Sequence, residues 1–337
     1  MKRILATLAL LAAATLANAQ TVQINGAGAT FPYPIYSKWF SDYHKAHPNT
    51  EINYQSIGSG GGIRQLSAGT VFFGASDGPM TNEQIQAAGF RILHLPTVLG
   101  GVVPVYNVPG VSAQLKFPGR VLADIYLGKI TKWNDVAIKN VNAGVELPNE
   151  DITVVHRSDG SGTSYIWCDY LSKISPEYRQ KVGVATSVNW PVGVGGKGNE
   201  GVAGLVKQTP GAIGYVELIY ALQTKISYGS VQNAAGEFVT ATTETVANAA
   251  ASAAKNMPKD FRVSITNAPG KDVYPVSSFT WLLVQEAPKD VQRSHILVDF
   301  VRWALTDGQK YAAQLGYAPL PKEVVAMELE AVKRVKQ

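Results

Sequence analysis

The sequence is poor in cysteine, in charge and in clustered histidine, and each shortage closes off a class of protein. Cys168 is the one cysteine in 337 residues, so an internal disulfide is impossible and multi-cysteine structural zinc is excluded. The five histidines, His44, His47, His94, His156 and His295, show no metal-ligand spacing, and HExxH is absent. Charged residues make up 16% of the chain against 46% apolar, a balance that favours a packed core over disorder. Lys and Arg form no cluster that would track nucleic acid. There is no heptad run and no repeat of roughly 20–50 residues. No apolar run reaches the ~20 residues of a membrane-spanning helix.

The N-terminus has the pattern of a secretory signal. Lys2 and Arg3 give a positive start, residues 4–16 are apolar apart from Thr7 and Thr15, and Ala17-Asn18-Ala19 supplies small residues for a peptidase. The pattern predicts cleavage after Ala19 and an exported protein. No cysteine stands at that point, which argues against a lipid anchor. Lys2 and Arg3 supply two of the five net positive charges, so the mature chain is mildly basic.

Short β-rich runs alternate with helical stretches, the pattern of α/β folding with mainly parallel sheets. Residues 21–25 predict a strand, 26–30 a turn, and the spacing of Ile35, Trp39, Tyr43 and Ala46 predicts a helix with Pro34 in its first turn. Strands are expected at 51–55 and 72–76, with a glycine-rich turn opening at Ser59 between them. The apolar run 98–105 reads as a buried strand passing between lobes. Further on, the pattern predicts a helix at 121–127, a strand at 152–156, a helix from Ser161 to about 171 and an Ala-rich helix at 243–255. A strand at 279–284 and two or three helices close the chain.

Three segments share one layout of strand, small-residue turn and helix: Gly26-Ala27-Gly28-Ala29-Thr30-Phe31, Gly58-Ser59-Gly60-Gly61-Gly62, and Asp159-Gly160-Ser161-Gly162-Thr163-Ser164. The first N–H groups of a helix lack intrahelical partners and carry partial positive charge, so such turns favour anions. One turn is explained as well by N-capping. Three on α/β crossovers point to a shared crevice at the carboxyl ends of the strands. Arg157, just before the third turn, offers a fork for a tetrahedral oxyanion, with Asp159 placed to hold it. A surface ion pair is the plain alternative.

Asp77 ends the third strand. A carboxylate beside an anion makes sense where the ligand carries a proton to donate, as phosphate does and sulfate does not. Otherwise it caps the helix expected near 82–88. Gly193-Val194-Gly195-Gly196-Lys197-Gly198 satisfies GxGxxG, but it follows no clear strand, and no acidic residue suits a ribose. Gly198 after Lys197 also rules out a P-loop. No serine has the GxSxG context of a nucleophile elbow. The aromatics of the first helix are read as core.

The residues Gly26–Pro32, Tyr54–Gly62, Phe73–Asp77, Asp124–Ile130, Arg157–Thr163 and Pro210–Glu217 closely resemble the periplasmic phosphate-binding proteins of high-affinity phosphate ABC transporters, within the type II periplasmic-binding-protein superfamily. The resemblance runs in order over nearly the whole mature chain and weakens at 225–270 and at the C-terminus. It implies two α/β lobes joined by two crossing strands: a signal peptide 1–19, lobe I of 20–104 plus 276–337, and lobe II of 105–275. It implies that Thr30 and the N–H of Phe31 donate to phosphate, as do Ser59, Ser161, Gly162 and Thr163. Asp77 accepts the ligand proton, and Arg157, held by Asp159, supplies the cation. Gly60 and His156 stand where some members have Ser and Arg. The implied protein is a monomer without cofactor or metal, which binds inorganic phosphate and docks on membrane permease and ATPase subunits. Three rivals remain: a phosphatase using Ser161, a sulfate or molybdate binder, and an adhesin or signalling module of the same fold.

Overall fold

The computed structural model describes residues 21–337; the expected signal segment and its cleavage point lie outside them. The first four strands are β1 (Val22–Gly28), β2 (Thr50–Ser56), β3 (Phe73–Ser76) and β4 (Ile92–Asn107). They are followed by β5 (Lys116–Phe117), β6 (Thr153–Arg157), β7 (Val194–Gly196) and β8 (Ala212–Glu217). The last are β9 (Ser227–Tyr228), β10 (Ser230–Gln232), β11 (Phe238–Val239) and β12 (Ser277–Gln285). One path of hydrogen-bonded neighbours runs β2-β1-β3-β12-β4-β8-β6-β7, with β9 also on β4; β5, β10 and β11 form a small separate sheet.

Parallel pairing holds at both ends of this path: β1 with β2 and β3, and β6 with β7 and β8. Antiparallel pairing is found where β12 joins β3 and β4, and where β4 joins β8 and β9. The expected parallel character therefore belongs to the interior of each lobe, and the long connecting strands run against it.

β4 is much longer than the expected 98–105. Leu93 to Tyr106 are all buried, which is why the stretch reads as one nearly continuous apolar run. Its first part, to Gly101, pairs with β12, and Val102 to Asn107 pair with β8. The chain returns beside this switch, where Val102 N–H donates to Val276 O at 2.8 Å. Proline lacks the N–H that a ladder needs, and the register between β4 and β12 shifts opposite Pro96, between Thr280 and Trp281.

Helices cover both faces. Tyr33–Ala46 buries Ile35, Tyr36, Trp39, Phe40 and Tyr43, and Trp39 Nε1 donates to Gly308 O at 2.8 Å. Tyr36 meets Tyr54 edge-on, and Phe40 lies against Phe300. The aromatic stripe is thus core, each ring contributing on the order of 1.5–3 kcal/mol by burial. The Ala-rich helix forms at Thr243–Ala254, opened by a capping box on Thr242. Cys168 is buried beside the Tyr178 hydroxyl at 3.4 Å, and burial pushes its thiol up to about 12.

Candidate functional site

All three glycine-hydroxyl turns come to one place. β1 runs on to Gly28, so the first turn is shorter than expected, and Thr30 and Phe31 lead into Tyr33–Ala46. Ser59 is itself the first residue of the helix Ser59–Ser67. Ser161 caps the helix Gly162–Ile174, its Oγ accepting Ser164 N–H at 3.0 Å. The first and second turns lie on one side and the third on the other. Gly162 N–H donates to Ser59 Oγ at 3.0 Å, and Gly60 N–H donates to Gly160 O at 2.9 Å.

Two glycines permit this approach. A Cβ built on Gly162 lies 2.5 Å from Ser59 Oγ and 2.6 Å from Asp77 N, closer than packed atoms allow. A Cβ on Gly60 lies 3.1 Å from the Cα of Gly160. The sequence departure at Gly60 therefore falls where the two sides make their close backbone contact.

Asp77 is 1% exposed. The following helix, Asn82–Ala88, is capped by Thr81 in a full capping box, so the capping reading of Asp77 is set aside. Its Oδ1 accepts the Thr280 hydroxyl at 2.8 Å, while Oδ2 lies 3.5 Å from Ser59 Oγ. Burial pushes the carboxyl from 3.8 up to about 7; the Thr280 hydrogen bond, the Arg157 charge and Ser59 restrain the rise.

Arg157 is buried. Its Nε donates to Asp159 Oδ1 at 2.7 Å, Nη2 to Oδ2 at 2.5 Å, and Nη1 to Thr163 Oγ1 at 3.3 Å. Asp159 Oδ1 also accepts Gly198 N–H at 3.0 Å. Burial works to raise the Asp159 carboxyl, but the Arg157 hydrogen bonds and charge, with Gly198, bring it below its ordinary value. With both oxygens engaged, Asp159 belongs to the site through Arg157, as a holder rather than a direct contact. Arg157 is buried and Asp159 half-buried, so this is not the surface ion pair of the alternative reading.

The donor and acceptor roles can be counted. Ser59 Oγ accepts two N–H groups, from Gly162 at 3.0 Å and Asp77 at 3.2 Å. Thr30 Oγ1 accepts Asn199 Nδ2 at 2.7 Å and Asn199 N–H at 3.3 Å. Thr163 Oγ1 accepts Arg157 Nη1 and, at 3.1 Å, Asn199 Nδ2. In each hydroxyl both lone pairs are taken; the Ser59 proton goes to Asp77 Oδ2 at 3.5 Å, and those of Thr30 and Thr163 are left to donate. The N–H groups of Phe31, Ser59 and Thr163, all on buried residues, find no protein acceptor among the described residues. Two free hydroxyl donors, three N–H donors and a guanidinium are thus gathered in the site of one acid, which Ser59 already contacts.

Several contributors escape sequence reasoning. Asn199 follows a fourth glycine-rich turn, in the first turn of the helix Gly198–Gln208 into which Gly193–Gly198 leads. That layout matches the other three turns, but its GxGxxG spacing draws attention to nucleotides instead. Thr280 is a hydroxyl between Phe279 and Trp281 in the apolar stretch of β12, which is its available signal. Tyr220 OH donates to Thr30 O at 2.5 Å, and Tyr317 OH to Phe31 O at 2.6 Å; nothing local marks them. Glu217, from the 210–217 motif, is fully buried and caps the helix Leu218–Thr224, accepting Ile219 N–H at 2.8 Å. Burial holds its carboxyl well above the usual range.

The chain matches the family model of a PBP superfamily domain over residues 14–308, and it belongs to that superfamily of periplasmic binding proteins. More narrowly, it belongs to the family of phosphate-binding proteins PstS. It is 50% identical to phosphate-binding protein PstS of Xylella fastidiosa over 307 residues, 91% of this chain and 84% of the relative. It is 48% identical to phosphate-binding protein PstS of Pasteurella multocida, over 91% of this chain and 88% of that one. Among solved structures, the phosphate-binding protein from Stenotrophomonas maltophilia shares the fold with a TM-score of 0.69 at 17% identity, over 92% of this chain and 93% of that one.

Proposed function

We propose that this protein captures inorganic phosphate after export and delivers it to the permease and ATPase subunits of a phosphate ABC importer, acting as a monomer and catalysing nothing. The observation that carries the reading is the donor count: the hydroxyls of Thr30 and Thr163, the N–H groups of Phe31, Ser59 and Thr163, and Arg157 are unspent donors in one place, with Asp77 as the acceptor among them. Phosphate matches this set. Its bare oxygens take the donors, and its P–OH serves Asp77. Sulfate has no proton for Asp77 and would meet it lone pair to lone pair. Relatives at 48–50% identity, named as phosphate-binding proteins, support the same ligand.

In this reading Thr30, the N–H groups of Phe31 and Ser59, the Ser161 hydroxyl and Thr163 donate, the Gly162 N–H and the Ser59 hydroxyl join them by turning from each other and from Asp77 to the ligand, Asp77 accepts, and Arg157 is held by Asp159. Dehydrating a charged anion costs tens of kcal/mol if uncompensated, by order of magnitude. The many donors offset that cost. The lobes, 20–104 with 276–337 and 105–275, hinge about the paired crossing segments near 101–102 and 276–277, and close on the ligand. The signal peptide is cleaved after Ala19.

Calorimetric titration of phosphate-stripped mature protein tests the reading. Tight binding of phosphate and little of sulfate is expected. Equal binding of both anions, or of neither, overturns it.

A further inference from the structure

We propose that Asn199 is a positioning residue of the anion site: it bridges the lobes and fixes Thr30 and Thr163 as hydrogen-bond donors toward the ligand. The proposal rests on the phosphate-binding reading and goes beyond it. Asn199 is fully buried. Its Oδ1 accepts the Glu217 backbone N–H at 2.9 Å. A backbone N–H can only donate, so this bond fixes which end of the amide is oxygen. Nδ2 must then face the two threonines, Thr30 at 2.7 Å and Thr163 at 3.1 Å.

The consequence is directional. A threonine hydroxyl left to itself rotates, and can offer either its proton or a lone pair. Here Asn199 gives Thr30 two N–H donors, and completes with Arg157 the pair that fills Thr163. Both protons are left to point at the ligand, so each threonine demands a bare oxygen there. Thr30 lies on one side of the crevice, while Asn199 and Thr163 begin helices on the other. The bonds to Thr30 therefore form on closure, and one amide couples closing to the setting of the donors. The orientation of the amide comes in turn from the end of β8, through Glu217.

Phosphate titrations at pH 8 on native protein, Asn199→Ala, Asn199→Asp, Thr30→Val and the pair Asn199→Ala with Thr30→Val test this. Asn199→Ala is expected to bind phosphate about 10–100-fold more weakly than native, as loss of a buried hydrogen-bond set implies. Asn199→Asp keeps the shape, but its acceptor-only carboxylate draws the threonine protons away, so it should lose at least as much. In the Thr30→Val background the penalty of Asn199→Ala should shrink at least about threefold, because the hydroxyl it orients is gone; a merely structural role would leave the penalty unchanged. Circular dichroism melts of the stripped proteins check folding, and the isosteric Asp variant carries the test if the Ala variant does not fold. An Asn199 variant binding within about threefold of native, or an undiminished penalty in the Thr30→Val background, overturns the proposal. Native protein that binds no phosphate overturns the functional reading itself, and is seen without any variant.

Discussion

Sulfate binding should become stronger as pH falls, and Asp77→Asn should abolish that dependence. Sulfate does not titrate near neutrality, so a pH effect on its binding reports the protein. Burial pushes Asp77 up to about 7. Above that value the carboxylate is ionised and presents lone pairs to a ligand that has only lone pairs to return. Below it the carboxyl is protonated, and its O–H can donate to a sulfate oxygen. With a value of about 7 in the closed crevice, roughly a tenth of the closed molecules are protonated at pH 8 and about nine-tenths at pH 6, so sulfate affinity should rise at least about tenfold over that interval. The amide introduced by Asp77→Asn would keep an acceptor for the Thr280 hydroxyl, which lies 2.8 Å from the native Oδ1, and would offer an N–H to the ligand at every pH. The variant's sulfate affinity should be flat from about pH 6 to 8, and its preference for phosphate should fall from roughly 10⁴-fold, the scale set by an unpaired buried acceptor, toward unity. Competition calorimetry on stripped native and variant protein measures both. A native sulfate affinity that is flat or rises with pH, or a variant that keeps the full preference, refutes the assignment of Asp77.

Gly162→Ala should weaken phosphate binding at least about 100-fold in titration while leaving the ligand-free melt nearly unchanged, because its Cβ obstructs the contact with Ser59 and Asp77 rather than either lobe's own core. Arg157→Lys removes the fork that holds Asp159 and the bond to Thr163; chemical denaturation should show a loss of about 2–4 kcal/mol, and phosphate binding should fail with it. Glu328 is fully buried, and neither carboxylate oxygen has a hydrogen-bond partner among the described residues, so Glu328→Met should stabilise the fold by about 1–3 kcal/mol in the same assay without changing phosphate affinity.

The turns are legible because glycine, a hydroxyl and the onset of a 3.6-residue apolar period coincide in the sequence. The role of Asp77 is half legible: an acid ending a short apolar strand invites two readings, and the capping box at Thr81 removes one. Asn199 is not legible, because its meaning depends on Glu217 fixing its amide and on Thr30, 169 residues away, meeting it across the crevice. Thr280 reaches Asp77 across 203 residues, a contact set by strand neighbours rather than by local pattern. The full length of β4 is hidden because prolines 96 and 104 interrupt the pattern expected of a strand. Pro96 is accommodated at the register shift, and Pro104 stays within the part of the strand that pairs with β8. Sequence periodicity marks which residues are buried; it does not say which strand lies on either side.

If the lobes close on the ligand as proposed, selection between anions is made in the closing step. In an open crevice Asp77 is hydrated and ionised at little cost. Closure removes that water, and the carboxyl responds by rising to about 7, so an ionised Asp77 opposes closure. A phosphate P–OH supplies the hydrogen bond that water gave up and relieves the opposition; sulfate adds a second acceptor and increases it. The contacts that hold the crevice shut, Gly60 N–H on Gly160 O, Gly162 N–H on Ser59 Oγ and Asn199 on Thr30, are each a net gain of only about 1 kcal/mol. A buried charge without a partner is enough to outweigh them. Small-angle scattering at pH 8 should therefore show the stripped protein contracting on phosphate and staying extended in excess sulfate, whereas Asp77→Asn should contract on either. Contraction of the native protein on sulfate at pH 8 would place selection in some step other than closure.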